Sequence, residues 1–228
     1  MSELALIVPV LNQFELFTNM ISTINYPVHP YVIRNWDDNI GVAAGWNKGI
    51  RQAVKDGKRY ALIANDDIIL ESKAVAKCYD YLRDSDATIV SPNFCVPERD
   101  GNFMYFDRDL GVIESIHWSC VFVDMYKLIE NCGWFDENFY PAYFEDNDMF
   151  YRMHLKNQKH YLLTDVGFYH KESATCSTVI TRGDWDYCQG YYNYKWGGIP
   201  GEEKYDHPFN NKSNDVDFWN KPTRERRG

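Results

Sequence analysis

The chain has 228 residues, of which 45% are hydrophobic, and 33 Asp and Glu against 24 Lys and Arg give it a formal net charge of −9. This length and apolar content allow one large α/β domain or two small ones, and we interpret the chain as one domain with a C-terminal extension. The negative charge repels phosphate backbones and anionic membranes, so it disfavours nucleic acid as a partner.

The N-terminal residues favour a cytoplasmic protein. Glu3 stands where a secretory signal would carry positive charge, and the apolar run that follows ends at Pro9 after the length of one strand. No stretch approaches the roughly 20 apolar residues that a membrane span needs. The six cysteines form no C-x-x-C pair, so neither a zinc site nor a disulfide framework is indicated, and a reducing compartment is the simplest interpretation.

The first half of the chain alternates between strand and helix patterns. Continuous apolar runs with β-branched residues predict buried strands, and apolar residues spaced three or four apart predict helices. Strands are predicted at 4–10, 31–33, 60–64 and 88–90, and helices at 13–24, 41–54 and 71–82. This alternation predicts an α/β fold with a mixed, mainly parallel sheet flanked by helices.

The second half of the chain is less regular. Residues 92–111 are rich in Pro, Gly, Asn and Asp, which predicts a loop with a hairpin near 103–106. Further strands are predicted at 119–123, 160–163 and 166–169, and further helices at 125–131, ended by Gly133, and at 145–155. Beyond Cys176 the periodicity is lost, and we expect an irregular tail that is a wrap-around clasp or a mobile lid, with a frayed basic end at 221–228.

The polar triplet Asn65-Asp66-Asp67 closes the third predicted strand. Ligands of open α/β sheets bind at the carboxyl ends of the strands, where carboxylates are well placed to hold a divalent cation. If strand alternation continues, Asn65 and Asp67 point to one side of the sheet and Asp66 to the other. Taken alone, the triplet favours a plain turn or helix cap, because Asn and Asp are common there.

A second acidic cluster opens the predicted helix at 145–155. Asp148 and Arg152 have the spacing of an ion pair along a helix, which leaves Glu145 and Asp146 to face a cleft or solvent. The helix dipole favours carboxylates in a first turn, but capping does not require three of them. A carboxylate at this position can serve as the base that deprotonates an acceptor hydroxyl.

Read together, these segments resemble the family 2 glycosyltransferases of the GT-A fold. The matching segments, in chain order, are the strand at 4–10, NIGVAAGWNKG at 39–49, the triplet at 65–67, GWFDENF at 133–139, EDND at 145–148 with Arg152, and His170. Each is weak alone, and their order over residues 3–175 carries the resemblance. It implies a nucleotide-sugar half at about 1–91, an acceptor half at about 92–175, and an extension at 176–228.

The resemblance also implies roles for individual residues. It makes Asp67 a metal ligand and His170 the residue that completes the metal shell, with Mn²⁺ or Mg²⁺ as the cofactor. It makes Asp146 the catalytic base, with Glu145 as the alternative. Contacts to the nucleotide-sugar donor are implied for Pro9, Asn39, Gly41, Asn47, Lys48, Asn65, Asp66 and Lys195, and for one of Asn35, Asp37 and Asp38, among which the match is ambiguous.

The implied reaction is an inverting sugar transfer from a nucleotide-diphosphate sugar to an acceptor hydroxyl. A UDP-hexose is the default donor, deoxyhexose donors remain open, and the acceptor, a glycan or another hydroxyl-bearing molecule, is not indicated. One rival is a nucleotidyltransferase of related fold, but residues 9–13 lack the glycines that such enzymes carry after the first strand. The other rival is a non-catalytic carbohydrate- or nucleotide-binding module, which the many Tyr and Trp residues would also suit.

Overall fold

A computed structural model describes residues 3–97, 103–105, 108–171 and 180–212 of the chain. The strands are β1 (Leu4–Val10), β2 (His29–Arg34), β3 (Tyr60–Ala64), β4 (Ile68–Leu70), β5 (Ile89–Pro97), β6 (Phe103–Tyr105), β7 (Val112–Ile113), β8 (Cys120–Asp124) and β9 (His160–His170). The helices are α1 (Phe14–Thr23), α2 (Val42–Lys55), α3 (Ala74–Asp84), α4 (Met125–Cys132), α5 (Glu145–Leu155) and α6 (Arg182–Trp196), with 3₁₀ turns at Arg108–Leu110 and Pro208–Asn210.

These strands form one mixed sheet in the order β2-β1-β3-β8-β5-β9-β4, to which β6 adds beside β5 and β7 beside β9. Strands β2, β1, β3, β5 and β9 share one direction, whereas β8 runs antiparallel to both of its neighbours and β4 runs antiparallel to β9. The predicted α/β fold with a mixed, mainly parallel sheet is therefore confirmed. Within the residues that the structure describes, no helix is long and apolar enough to cross a membrane.

Two apolar cores cover the two faces of the sheet, because alternate residues of each central strand point to opposite sides. Leu4, Leu6 and Val8 of β1 pack with α1 and α3 on one face, while Ala5 and Ile7 pack with α2, α4 and α5 on the other. All five side chains are fully or almost fully buried. This double burial explains why β1 appears in the sequence as a continuous apolar run.

Most predicted elements are confirmed within a few residues, and the differences have physical causes. Strand β4, a region for which the sequence analysis predicts no element, pairs with the end of β9. The two late strands are one strand, β9, whose pairing with β5 shifts register after Leu163. Gly133 ends α4 with a φ of 76°, as predicted.

The tail contains a regular helix where the sequence analysis expects irregular structure. Helix α6 begins at a capping box between Thr181 and Asp184 and ends at Gly197, which adopts a φ of 74°. Its buried face, formed by Cys188, Tyr192 and Trp196, packs on Phe139 and Phe144. The pattern is hard to recognise because residues of low helix propensity, including Gly190, lie between these positions. The expected frayed end at 221–228 lies outside the described residues.

Candidate active site

A cavity of about 240 Å³ opens at the edge of the sheet where the parallel strands β1 and β3 end. Its wall combines residues from seven separate stretches of the chain. The described lining residues are Pro9, Leu11, Asn35, Asn39, Val42, Trp46, Asn65, Asp66, Asp67, Trp118, Ser119, Pro141, Ala142, Tyr143, Glu145, Asp146, His170 and Ile180. The cavity thus lies at the carboxyl ends of the strands, where α/β sheets bind ligands.

All three residues of the triplet line this cavity, which corrects the expectation that Asp66 points away from Asn65 and Asp67. Strand β3 ends at Ala64, and Asp66 and Asp67 form a turn before β4 begins. The alternation of a strand does not extend through a turn, so its prediction fails here.

Asp67 and His170 meet although they lie far apart in sequence. In the antiparallel ladder between β4 and β9, His170 is opposite Ile68, so the end of β9 returns to the turn that holds Asp67. The Nε2 atom of His170 is 3.0 Å from Oδ1 of Asp67 and 3.3 Å from Nδ2 of Asn65. The Nδ1 atom lies 3.2 Å from the hydroxyl of Ser119, which fixes the plane of the ring from its other side.

Asp66 is buried beside Asp67, and its environment disfavours the charged form. Burial, followed by repulsion from the Asp67 carboxylate, raises the pKa of Asp66 to about 7. Hydrogen bonds from its own backbone N–H and that of Leu11 oppose this shift. One of its oxygens, Oδ2, has no hydrogen-bond partner.

Glu145 and Asp146 form a pair of acids at the first turn of α5. The two preceding residues, Tyr143 and Phe144, have φ angles of 79° and 69°, a region that bulky side chains rarely adopt. This backbone path turns both carboxyl groups into the cavity wall.

The pKa of each acid in this pair is raised. Burial is the main cause for both, and repulsion from Asp146 adds to the increase at Glu145, whose pKa lies well above its ordinary value. A backbone N–H donor at Asn147, 2.8 Å from Oδ1 of Asp146, favours the charged form of Asp146. Of the two acids, Asp146 therefore ionises more readily, and Glu145 holds its proton more tightly.

Four buried polar atoms of lining residues have no hydrogen-bond partner in the described structure: Oδ1 of Asn35, Nε1 of Trp46, Oδ2 of Asp66 and Oε2 of Glu145. Buried polar atoms in proteins are almost always paired, since an unpaired one costs about 1–3 kcal/mol. Both donors and acceptors are represented, and all four residues share one cavity. The arrangement is that of a site whose polar partners arrive with a ligand.

Of the three alternatives after the second strand, Asn35, Asp37 and Asp38, Asn35 belongs to the described cavity lining, as does the neighbouring Asn39. Both line the cavity, whereas Asp37 is exposed in an ion pair with Arg34 and Asp38 is exposed. Gly41 stands behind them: its N–H donates to Oδ1 of Asn39 at 3.0 Å, and its φ of 84° suits glycine.

Besides Gly41, the expected donor contacts Asn47, Lys48 and Lys195 are absent from the described cavity lining. Asn47 is buried and hydrogen bonded through both side-chain atoms to the backbone of Phe135, so it supports the neighbouring loop. Lys48 is exposed on α2. Lys195, expected near the diphosphate, is fully buried, and its ammonium contacts Asp136 and Asp148.

Sequence analysis missed several lining residues that belong to no polar motif. Ser119 contacts His170 because β8 runs antiparallel beside β3, which brings its first residues next to Asn65; the Asn65 N–H donates to the Ser119 carbonyl at 3.0 Å. Only the direction of β8 could have revealed this contact, and that direction cannot be deduced from an apolar run.

The donor set fits a divalent cation that is shared with a ligand. Among the described residues, no group of three or more His, Cys, Asp or Glu side chains is arranged to hold a metal. Asp67 and His170 supply two adjacent ligand atoms, and hard cations bound to diphosphates use one or two carboxylates together with phosphate oxygens and waters. Asp66, with its unpartnered oxygen, stands next to them.

The chain matches no known protein-family model, and no curated protein matches it in sequence. Its fold is similar to that of S. aureus TarS in solved structures. The structure of TarS 1-349 with UDP-GlcNAc is 11% identical with a TM-score of 0.58, over 82% of this chain and 64% of that one. The structure of TarS 1-349 with UDP is 11% identical with a TM-score of 0.57, over 74% and 60%.

This chain spans less than two thirds of the length of those TarS chains. At such low identity the likeness concerns the fold, and it confirms a GT-A-like architecture.

Proposed function

We propose that this protein is a metal-dependent, inverting glycosyltransferase related to family 2, which moves a sugar from a nucleotide-diphosphate sugar to an acceptor hydroxyl. The observation that carries the proposal is the meeting, in one cavity of a GT-A-like fold, of Asp67 and His170 with the acid pair Glu145 and Asp146. A UDP-hexose is the favoured donor, since similar structures were solved with UDP and UDP-GlcNAc.

The wall formed by Pro9, Asn35 and Asn39 is the proposed nucleoside subsite. It lies at the ends of β1 and β2, and it offers the unpartnered Oδ1 of Asn35 as an acceptor for a base or ribose donor group. Asn65 and Asp66 line the same cavity and directly precede Asp67, a proposed metal ligand, in the chain.

The charge of the cavity favours a cation in the donor complex. Its described lining carries four carboxyl groups, those of Asp66, Asp67, Glu145 and Asp146, and neither Lys nor Arg. A diphosphate brought here alone would face like charges in a partly buried space. Asp67 and His170 would hold the ion, which when bound neutralises the charge that grows on the leaving diphosphate.

Asp146 is the proposed base. A base must be ionised before it accepts a proton, and of the two acids Asp146 ionises more readily, because repulsion adds to burial in raising the pKa of Glu145. Glu145 holds its proton more tightly and is better suited to donate a hydrogen bond. Asp146 therefore takes the proton from the acceptor hydroxyl as that oxygen attacks the face of the anomeric carbon opposite the diphosphate.

Calorimetric titration with uridine and UDP, each with and without Mn²⁺, tests the donor site. We expect uridine to bind equally well in both conditions and UDP to bind only with Mn²⁺, because only UDP brings the diphosphate charge into the cavity. UDP binding of equal strength in EDTA would contradict the electrostatic argument, and the absence of any nucleotide binding would contradict the proposed function.

Turnover distinguishes an enzyme from a binding module. With Mn²⁺ and a panel of UDP-hexoses, we expect slow release of UDP by hydrolysis, which a binding module would not produce. Asp146→Asn should lower this turnover by about a hundredfold to ten-thousandfold while leaving UDP affinity unchanged, since general-base assistance is worth that much. The matched control is Asp186→Asn, in an exposed ion pair with Arg182. Full turnover by Asp146→Asn would refute the role of Asp146.

A further inference from the structure

Helix α6 carries a lysine whose charge is completely removed from solvent. The side chain of Lys195 is 0% exposed, and its Nζ lies 2.7 Å from Oδ2 of Asp136 and 2.5 Å from Oδ1 of Asp148. Both carboxylates are fully buried as well. A buried ammonium is stable only with such partners, so this contact ties three parts of the chain together.

The two carboxylates have further partners that leave Lys195 as the bridge between them. Oδ2 of Asp148 accepts hydrogen bonds from Arg152, one turn along α5, at 2.7 and 3.0 Å. Oδ2 of Asp136 accepts one from Tyr191 at 2.9 Å, while its Oδ1 accepts two from Asn138, from the backbone N–H at 3.0 Å and from the side-chain amide at 2.9 Å. The Lys195 ammonium contacts both acids.

Asp136 and Asp148 flank the segment 137–147, which forms one wall of the cavity. Pro141, Ala142, Tyr143, Glu145 and Asp146 all belong to this segment and all line the cavity. The bridge made by Lys195 therefore joins the two ends of the loop that presents the acid pair.

This loop needs an external restraint because its backbone is strained. Tyr143 and Phe144 both have positive φ, a conformation that persists in non-glycine residues only where the surroundings enforce it. Helix α6 enforces it by packing. The ring centroid of Trp185 lies 4.7 Å from that of Tyr143 and 5.1 Å from that of Phe144. The same helix thus covers the strained residues and, through Lys195, joins the ends of their loop.

We infer that Lys195 is a positioning residue, which holds segment 137–147 in the strained conformation that aims Glu145 and Asp146 into the cavity. In this arrangement the tail helix is a fixed part of the active site, and it acts at a distance through a buried ion pair. The expected effect on turnover rests on the proposed function. The expected effect on the backbone of the loop does not, and it is measured by hydrogen exchange.

The test uses the full chain with Lys195→Met, with Lys195→Met combined with Asp136→Asn, and with Lys77→Met as the matched control. Lys77 makes an exposed ion pair with Asp165. The double variant removes one buried carboxylate together with the ammonium, so the remaining pair of Asp148 and Arg152 is balanced in charge. Three quantities are measured: the thermal midpoint, the hydrogen exchange of amides at 139–148, and UDP release with uridine affinity.

We expect Lys195→Met to unfold at a lower temperature and the double variant to recover most of that loss. In both variants, exchange at 139–148 should rise at least tenfold while α2 keeps its protection, and turnover should fall about a hundredfold, as displacements of about 1 Å do. Uridine affinity should stay unchanged, because the opposite wall holds the nucleoside. Lys77→Met should behave as the wild type.

Two results would overturn the inference. The first is wild-type turnover and protection in Lys195→Met. The second is a full return of turnover and amide protection in the double variant, because Lys195 would then only balance the charge of the buried carboxylates and would not position the loop. If the wild type releases no UDP from any donor, the proposed function fails, and the exchange data still decide whether Lys195 holds the loop.

Discussion

Replacing Glu145 by glutamine should make the protein more stable at neutral pH, although Glu145 is a buried residue of the proposed active site. Glutamine keeps the shape and the carbonyl oxygen that accepts the backbone N–H groups of residues 143 and 145. The substitution removes the carboxyl group of Glu145, whose ionisation is opposed by burial and by the neighbouring Asp146. The variant therefore measures how much stability this acid costs the wild type.

The magnitude follows from linkage. The pKa of Glu145 is raised on folding, so the unfolded chain loses this proton at a lower pH than the folded chain does. Stability is full below the unfolded pKa of about 4.3, and it falls by about 1.4 kcal/mol per pH unit until the folded pKa is passed. Glu145→Gln removes this loss, and for a chain of this size each 1 kcal/mol raises the midpoint by about 2–4 °C.

The assay is thermal unfolding at pH 5 and pH 8, with the difference between variant and wild type as the measured quantity. We expect that difference to be positive and larger at pH 8. The control is Glu15→Gln at the exposed first turn of α1, which should lose about 0.3–1 kcal/mol from the helix dipole. An unchanged or lower midpoint for Glu145→Gln at pH 8 would mean that Glu145 is ionised in the folded protein.

Three further predictions concern packing, ligand contact and capping. Gly49→Ala should lower the unfolding free energy by about 1–3 kcal/mol, because the new Cβ would lie 2.3 Å from Cγ2 of Ile7. Gly190→Ala, with open space around its Cβ, should instead raise the unfolding free energy by up to about 1 kcal/mol. Equal thermal midpoints for the two variants would contradict both predictions. Trp46→Phe should lower the midpoint, because a buried core ring is shortened, and should also weaken UDP-sugar binding roughly twofold to tenfold in calorimetry, since it removes an indole N–H that has no partner among the described residues. Asp124→Ala removes the N-cap of α4 and its ion pair with a neighbouring arginine, so it should cost about 1–3 kcal/mol in denaturant unfolding without changing turnover.

The sequence predicts the framework well because burial on two faces leaves a strong pattern. The apolar run of β1 and the helical spacing of α2 identify the order of elements and the sheet edge at which Asp67 lies. The acid pair is also recognisable in the sequence. Asp148 has the spacing of an ion pair with Arg152, which the structure shows at 2.7 Å between Oδ2 and Nη2, so Glu145 and Asp146 are the acids without a helical partner in the sequence pattern.

The remainder of the site depends on contacts between distant residues. That Ser119 touches His170 follows from the antiparallel placement of β8, and that Asp66 shares the cavity follows from a turn that ends the strand alternation. The family resemblance implies a donor contact for Lys195, whereas the structure buries it between two aspartates. Such pairings are set by packing and carry no local signal.

Helix α6 also bears on where a folded fragment of this protein can end. A boundary at residue 175, which the loss of periodicity suggests, would cut away the counter-ion of two interior aspartates and leave the apolar rings of Phe139 and Phe144 uncovered. We therefore expect a fragment of residues 1–175 to fold less stably than the full chain. Any fusion or transplantation of residues 1–175 therefore has to carry helix α6 with it.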